Sequence, residues 1–459
     1  MRPRHEFVRD QLGALLRRHP GSRAADLAVL ANTSLATITR ALNEPGAGVL
    51  RVGRAGRTRY YLRRALNGVN DDIAVYRVNS EGQASLVGRM CLTAPEGSFL
   101  DVAALLWPVA VEFSDGIWPG LPYPLQDMRP QGFLGRSLAR QVAQGFKVSL
   151  NPASWSDDDV LQVLTHIGQD CTGDLIVGDP ALQRWLHDKT EPQTVIDFQN
   201  AADYYLVQAD NASSLGLAGS SAAGEFPKFT ALRELPGSAT PHVIVKYSGQ
   251  DASATVQRWS DLLICEHLAL QAVATLDGVR SASSRILQAN GRTFLEVERF
   301  DRHGLYGRSP LCSLATLEAA ILDESSDDWV TLGQAMVRQG WLEGKAVHTL
   351  RLLTMFGRLI QNTDMHKGNL SFQPEPVLQL APVYDMLPMA YAPLGGGELP
   401  QVSYSPGLPM PQDQQAWLAA SQAASAFWLK GAEDARISPQ FRGICDRNAR
   451  ELARLQALL

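Results

Sequence analysis

The chain has 459 residues, 45% apolar, 19% charged and 7% aromatic, enough to bury large cores in two or three domains. Its five cysteines, Cys91, Cys171, Cys265, Cys312 and Cys445, are odd in number and never at CxxC spacing, which argues against a disulfide framework or a zinc site and fits a reducing compartment. No apolar run approaches the roughly 18 residues of a membrane span, so a cytoplasmic protein without a membrane partner is expected. The net charge of −5 is unevenly spread: residues 1–65 hold 13 arginines, no lysine and 4 acids, a balance of +9 that leaves −14 on the remainder.

Within the basic stretch, "HEFVRDQLGALLRRH" puts Phe7, Val8, Leu12, Leu15 and Leu16 at helical spacing and stops at Pro20 and Gly21. Ser22 can cap a short second helix, "RAADLAVLA". Ser34, closing the polar turn from Asn32, can cap a third, "LATITRALN". Two short helices around a tight turn predict a helix-turn-helix. Beyond Gly46 and Gly48, "VLRVGRAGRTRYYLRR" makes two strand-like runs around Gly53 and Gly56, a wing carrying Arg51, Arg54, Arg57 and Arg59. A guanidinium bridges phosphate oxygens or the acceptor pair of a guanine edge. Double-stranded DNA is therefore the expected partner of a domain at 1–66, with Thr37, Thr39 and Arg40 in the major groove. The competing reading is a three-helix protein-interaction module with an arginine-rich surface.

Residues 67–200 form the next expected subdomain, ordinary in composition. "AVYRVNSEGQASLVGRMCLTA" alternates like a small sheet turning at Glu81 and Gly82, and "GIWPGLPYPLQDMRPQGFLGRSLARQ" is rich in Pro and Gly ahead of a helix. There is no internal repeat, low-complexity tract or heptad pattern.

Chemistry becomes legible after residue 201. The run from Gly219 to Gly224 has the small residues of a phosphate-cradling loop, but Glu225 stands where a Walker A lysine is required, which excludes a P-loop NTPase. A strand-like "FPKFTAL", a turn at Pro236 and Gly237, and a return strand "HVIVKYS" carrying Lys246 come next. Flexible loop, hairpin and lysine on the return strand form the layout with which kinase N-lobes cover ATP. Glu266, in the helical "DLLICEHLALQAVATL", is placed to ion-pair with Lys246. "FLEVERFDR" then ends a strand at Glu298, Arg299, Phe300 and Asp301, where a kinase chain crosses between lobes. Residues 201–300 are thus expected to be an N-lobe and 301–459 a helical C-lobe, with Gly224, Lys246, Glu266, Glu298, Phe300 and Asp301 as ATP-binding candidates.

In that C-lobe, Ala346, Val347, Leu350, Leu353 and Ile360 make one apolar face of a helix that delivers "NTDMHKGN", residues 362–369. Asp364 and Asn369 are five apart, as in the kinase signature HRDxxxxN. A carboxylate there accepts the proton of an attacking hydroxyl, and a neutral amide ligates magnesium without adding negative charge beside phosphates. "LQLAPVYDMLP" sets Asp385 after an apolar strand, 16 residues past Asn369, as a second metal-binding group.

"SSAAGEFPKFTAL", "VIVK", "VERFDR", "NTDMHKGNLSF" and "APVYDMLP" resemble the HipA-like serine/threonine kinases, toxins of type II toxin-antitoxin systems, over roughly residues 70–455. The fused N-terminal winged helix is most similar to the YjjJ-type members. The resemblance implies an α+β fold: a winged helix-turn-helix followed by a two-lobed, protein-kinase-like body with a mostly helical C-lobe. It implies ATP and Mg2+ as cofactors, Asp364 as catalytic base, Asn369 and Asp385 as metal ligands, Lys246 on the phosphates, and Glu298 and Phe300 at the hinge facing adenine. His366 matches the family's loop histidine and organises the loop. Ser221, with Ser220 beside it, matches the autophosphorylation position. The implied partners are a protein substrate of the aminoacyl-tRNA synthetase class and an antitoxin. A homodimer would let the helix-turn-helix read two half-sites. Two alternatives stay open: a transcriptional regulator whose kinase-like body is a sensor or scaffold, and a small-molecule kinase of the aminoglycoside or choline type.

Overall fold

A computed structural model of the chain describes residues 3–67, 72–102, 105–212, 225–375 and 377–459, with side chains from residue 10 onward. Helices α1 (Pro3–Arg18), α2 (Ala24–Leu30) and α3 (Leu35–Leu42) pack through Leu12, Leu16, Leu27, Ile38 and Leu42. Ser34 caps α3 as expected, its Oγ accepting from the Thr37 N–H at 3.2 Å. Ser22 does not cap α2. Its hydroxyl donates to the His19 carbonyl at 2.7 Å, and the N-cap position falls on Arg23, whose N–H is satisfied by Asp26.

Strands β1 (Val49–Val52) and β2 (Arg59–Arg64) form a hairpin whose tip holds a 3-10 turn at Ala55–Arg57. After β3 (Ile73–Val78) and β4 (Ala84–Ala94), β2 proves to have a second neighbour: Leu62, Arg63 and Arg64 lie opposite Ala94, Thr93 and Leu92. Two short strands, β5 (Ser98–Phe99) and β6 (Ile117–Trp118), extend from β4. Helices α4 (Gly132–Phe146) and α5 (Asp157–Ile167) precede β7 (Leu175–Val177). The main path of the sheet then runs β1-β2-β4-β3-β7, with α6 (Asp179–Thr190) packed on it through Trp185. Arg64 reaches across to Asp158 with two hydrogen bonds of 2.6 and 2.7 Å, and Arg63 pairs with Asp72 at 2.9 Å. The boundary expected at residue 66 is therefore spanned by strand pairing and ion pairs. Composition changes there, but backbone hydrogen bonds ignore composition.

A second sheet has the order β10-β11-β9-β8, all antiparallel. In chain order its elements are α7 (Ala201–Ala212), β8 (Lys228–Leu232), β9 (His242–Tyr247), α8 (Ala254–Val273), β10 (Ser284–Ala289) and β11 (Arg292–Glu298). The period of two along β9 divides its side chains. Val243, Val245 and Tyr247 pack in a cluster with Tyr205 of α7, which leaves Lys246 on the opposite face, toward Glu266 of α8. A hairpin of β12 (Arg302–His303) and β13 (Gly307–Arg308) leads into a small sheet. That sheet comprises β14 (Cys312–Ser313), β15 (Ser371–Gln373) and β16 (Gln379–Leu380).

The remainder is helical: α9 (Leu314–Ile321), α10 (Trp329–Arg338), α11 (Gly344–Leu359), α12 (Gln414–Glu433) and α13 (Pro439–Gln456). The end of α11 is fixed by two aromatic donors. Tyr404 OH and the Nε1–H of the fully buried Trp428 both donate to the Leu359 carbonyl, at 2.8 and 3.1 Å. They satisfy an acceptor that a helix C-terminus otherwise leaves open, and so hold the departure point of residues 362–369. The fold is mixed α/β. Among the described residues no helix is long and apolar enough to cross a membrane.

Candidate functional site

Lys246 is 6% exposed on β9, and its Nζ donates to both oxygens of Glu266, 0% exposed on α8, at 2.8 Å each. The same ammonium contacts the Asp385 carboxylate. Desolvating such charges costs several kcal/mol per ion unless each meets a partner in good geometry, and this bidentate pair provides it. Burial alone would lower the Lys246 pKa, but Asp385 and Glu266 outweigh it and hold the group above its ordinary value. Burial pushes Glu266 up to about 7 against the pull of Lys246.

Asp385 takes a left-handed backbone, φ 53°, a region sparse for residues other than glycine and found where surrounding structure over-determines it. The expected strand before it is shorter than the apolar run: only Gln379–Leu380 lies in the small sheet's strand, and Val383 instead pairs in a parallel bridge with Ser281, its N–H bonded to the Arg280 carbonyl at 2.8 Å. Asn362, just past α11, accepts from the Asp364 N–H at 3.0 Å and turns its Nδ2 toward the Asp385 carbonyl at 3.5 Å, so one amide ties both aspartates to the helix end. Asn369 is buried, and its Nδ2 donates to the Asp364 carbonyl at 2.8 Å. His366 Nδ1 accepts from the Gly368 N–H at 3.0 Å, and Nε2 lies 3.9 Å from Asp364 Oδ1. Lys367 points away to Glu318 of α9 at 2.6 Å and anchors the loop from behind.

The two aspartates are pushed apart electrostatically. Desolvation raises the Asp364 pKa, His366 opposes, Asp385 adds and Lys246 opposes; the balance is upward. Asp385 would also rise on desolvation, but Lys246 first and then Lys228 bring it below its ordinary value. Divergent environments for paired carboxylates are how one site keeps a proton acceptor beside a permanent anion.

Lys246, Glu266, Gly368 and Asp385 line a cleft of about 560 Å³; Asp364, His366 and Asn369 are not among its lining residues. Its wall includes Lys246, Glu266, Glu298, Phe300, Asp301 and Asp385. Phe300 is tilted against Tyr384, ring centroids 5.8 Å apart, and the Glu298 carboxylate accepts from Ser238 Oγ at 2.8 Å. Asp301 borders the cleft, but its carboxylate is occupied by Arg299, Arg302 and the Gly173 N–H. Its side chain therefore braces the wall. Gly224, Ser220 and Ser221 lie outside the described residues.

Several cleft residues were not legible in the sequence. Lys228 lies directly opposite Lys246 in the β8–β9 register. Like charges facing each other would repel, but Glu225 pairs with Lys228 at 3.0 Å while Glu266 pairs with Lys246. Glu225, the residue that excluded a P-loop, also accepts from the Phe133 N–H at 2.9 Å and Arg136 at 2.8 Å at the start of α4. That start holds Gly132, φ 57°, where a Cβ would come within 2.6 Å of Glu225 Oε1. Leu134 and Leu138 of α4 and Asp170 to Thr172 supply a further wall from the middle segment. Register across the turn at Pro236 and Gly237 was the one signal that pointed to Lys228; for the others the sequence carries none.

Among the described residues no group of three or more His, Cys, Asp or Glu is arranged to hold a metal. Asp385 and Asn369 offer a carboxylate and an amide carbonyl, hard oxygen donors of the kind that suffice for Mg2+ when phosphates and water complete its shell. The donation from Asn369 Nδ2 to the Asp364 carbonyl fixes the orientation of that amide. The residues fit such an ion.

On the N-terminal segment, Arg40, Arg51, Arg54 and Arg57 are exposed and Arg59 is half-buried. Thr39 is half-buried, as is Thr37, whose Oγ1 lies 2.8 Å from Ser34 Oγ at the start of α3.

Residues 69–186 match the family described as YjjJ-like toxin, middle domain, and residues 220–454 match the HipA-like C-terminal domain. The chain is 36% identical over 410 residues, 89% of its length and 90% of the relative's, to Toxin YjjJ of Escherichia coli (strain K12). Two solved structures are similar to it. One is the Shewanella oneidensis MR-1 toxin-antitoxin complex of HipA, HipB and operator DNA, with 13% identity, coverage of 84% of this chain and 95% of that one, and TM-score 0.45. The other is the Helicobacter pylori proinflammatory kinase CtkA, with 14% identity, coverage of 50% and 90%, and TM-score 0.35.

Proposed function

This chain belongs to the HipA-like toxins, in their YjjJ-like branch, and on that premise we propose that it is an ATP- and magnesium-dependent kinase acting on a serine or threonine of a protein. The observation that carries the proposal is Lys246, held by Glu266 and in contact with Asp385 on the wall of a cleft, with Asp385 linked through Asn362 to Asp364 and Asp364 bonded to Asn369. A metabolite kinase shares the Asp-to-Asn spacing; the strings around the hinge and the small-residue loop favour the protein kinase.

In this reading the adenine lies against the hinge backbone at Glu298 and Phe300, and Lys246 meets the phosphates. Asp364 accepts the proton of the acceptor hydroxyl, for which its raised pKa suits it. The hydroxyl oxygen forms a bond to the γ-phosphorus as the bond from that phosphorus to the β–γ bridging oxygen breaks, and ADP leaves with the electron pair. Asn369 and Asp385 would hold magnesium, which would neutralise phosphate charge. His366 keeps the loop in shape through its bond from Gly368. Family resemblance makes an aminoacyl-tRNA synthetase-class translation factor the substrate and Ser221 or Ser220 the self-modified position. Residues 1–66, with Thr37, Thr39 and Arg40 on α3 and Arg51, Arg54, Arg57 and Arg59 on the hairpin, bind double-stranded DNA for autoregulation.

The test is intact-mass analysis of the purified chain after incubation with ATP and Mg2+, beside Asp385→Asn. Added phosphate on the wild type alone supports the proposal. Absence of both phosphate and ATP binding in the wild type moves the assignment to a DNA-binding regulator with a kinase-like scaffold, and phosphate appearing on small hydroxyl compounds in place of protein moves it to a metabolite kinase.

A further inference from the structure

β11 ends at Glu298, and the hinge after it keeps one backbone bond to the sheet, from the Arg299 N–H to the His242 carbonyl at 2.9 Å, before β12 begins. Charge from another part of the chain adds to that bond. Asp170, on the loop between α5 and β7, accepts from Arg299 Nη1 at 3.0 Å and Arg302 Nη2 at 2.8 Å. The next residues of that loop add backbone bonds. The Cys171 carbonyl accepts from Arg302 at 2.6 Å, the Gly173 carbonyl from Arg302 at 3.0 Å, and the Gly173 N–H donates to Asp301 at 3.0 Å. Arg308 contributes a third guanidinium beside the cluster, bonded to the Gln169 carbonyl. Three arginines thus face Asp170 and Asp301. The Asp170 side chain is half exposed, and against the upward pull of its partial desolvation Arg299 and Arg302 hold its carboxyl well below the usual carboxylate range.

The same loop borders the cleft, since Asp170, Cys171 and Thr172 line it alongside Glu298, Phe300 and Asp301. We propose that Asp170 is a positioning residue for the nucleotide: from the middle segment it clamps Arg299 and Arg302, and so fixes the hinge backbone against which the adenine edge hydrogen-bonds. The proposal rests on the kinase reading above and adds that residues outside the two lobes set nucleotide affinity. The physical reason is the steepness of hydrogen bonds with distance and angle. Without the Asp170 charge, Arg299 and Arg302 share the single carboxylate of Asp301, their repulsion is no longer balanced, and the hinge shifts away from the position that pairs with adenine.

The experiment uses the full chain and compares wild type, Asp170→Asn and Asp170→Glu. Binding of a non-hydrolysable ATP analogue with Mg2+ is measured by calorimetry, steady-state phosphoryl transfer is followed at varied ATP, and melting temperature is recorded beside them. Asp170→Asn is expected to raise Kd and KM for the nucleotide about tenfold while kcat stays within about threefold, and Asp170→Glu, which restores the charge, returns KM to within about threefold of wild type. Unchanged Kd and KM in Asp170→Asn overturn the clamp, and so does a fall confined to kcat in proportion to lost folded protein, because a purely structural contact acts that way. A wild type that binds no analogue overturns the kinase reading itself, an outcome recognisable because it precedes any comparison of variants.

Discussion

The cleft and the N-terminal hairpin both carry strong charge, and they handle it in opposite ways. Lys246 is 6% exposed and lies between two carboxylates, whereas Arg51, Arg54 and Arg57 stand exposed on β1 and the tip beyond it. Two other arginines of the basic segment, Arg63 and Arg64, are paired with Asp72 and Asp158 and fasten β2 to the middle segment of the chain. Buried charge demands a partner inside the chain and so is committed to one geometry. Exposed charge is solvated without one and is free to meet an external polyanion. Lys228 shows the same rule beside Lys246: two lysines can face each other across strands because each has its own glutamate.

The two regions should separate most sharply at Asp385. Asp385→Asn is expected to lower phosphate incorporation at least about 10³-fold, read by intact mass, and to leave DNA affinity in a gel shift unchanged. A matching loss of DNA binding would show that the two regions are not separate functions. Next comes Glu266→Ala, which takes the bidentate partner from a buried ammonium and leaves it Asp385 alone. Transfer should fall on the order of 100-fold and unfolding free energy by about 3–5 kcal/mol in a denaturant titration, unlike any single exposed arginine. The double variant Arg54→Ala with Arg57→Ala should weaken DNA binding about tenfold and reduce the slope of log affinity against log salt by about two, with stability within about 0.5 kcal/mol of wild type. The smallest effect is on pH dependence. Because the folded pKa of Asp385 is depressed, its contribution to stability is present above the ordinary 3.8 and is lost as pH falls through the lower folded value. Asp385→Asn should therefore show a shallower loss of melting temperature below pH 3.8 than wild type, with the two curves parallel above it.

Much of the site was legible because its chemistry is written in local spacing. The helix now seen as α11 was predicted from its apolar face, and the polar run after it emerges at its end because a buried helix must hand its chain to a loop there. The Lys246–Glu266 pair was inferred from a lysine on a strand followed by an acid within a helix, and the structure brings the two within 2.8 Å. Local reading failed where a residue's partner is remote. Ser22 looked like a cap from its neighbours, but the chain spends its hydroxyl on the end of α1. Asp301, expected among the ATP-binding residues, also accepts from the N–H of Gly173, 128 residues earlier, a contact its neighbours do not announce.

What the sequence determined by itself is therefore the set of chemical groups and the elements that carry them: a basic start with three amphipathic helices, a lysine strand, and an Asp-to-Asn loop at a helix end. Periodicity and spacing are properties of neighbours along the chain, and they survive any arrangement of the whole. Only the tertiary structure decided that the N-terminal hairpin is the edge of the next segment's sheet, that Glu225 is bound at the start of α4, and that the wall of the cleft beside the hinge comes from Asp170 to Thr172. Those contacts join residues far apart in sequence through single hydrogen bonds and ion pairs. No local pattern marks which carboxylate a buried arginine will find, because that choice is made by how distant segments pack against each other.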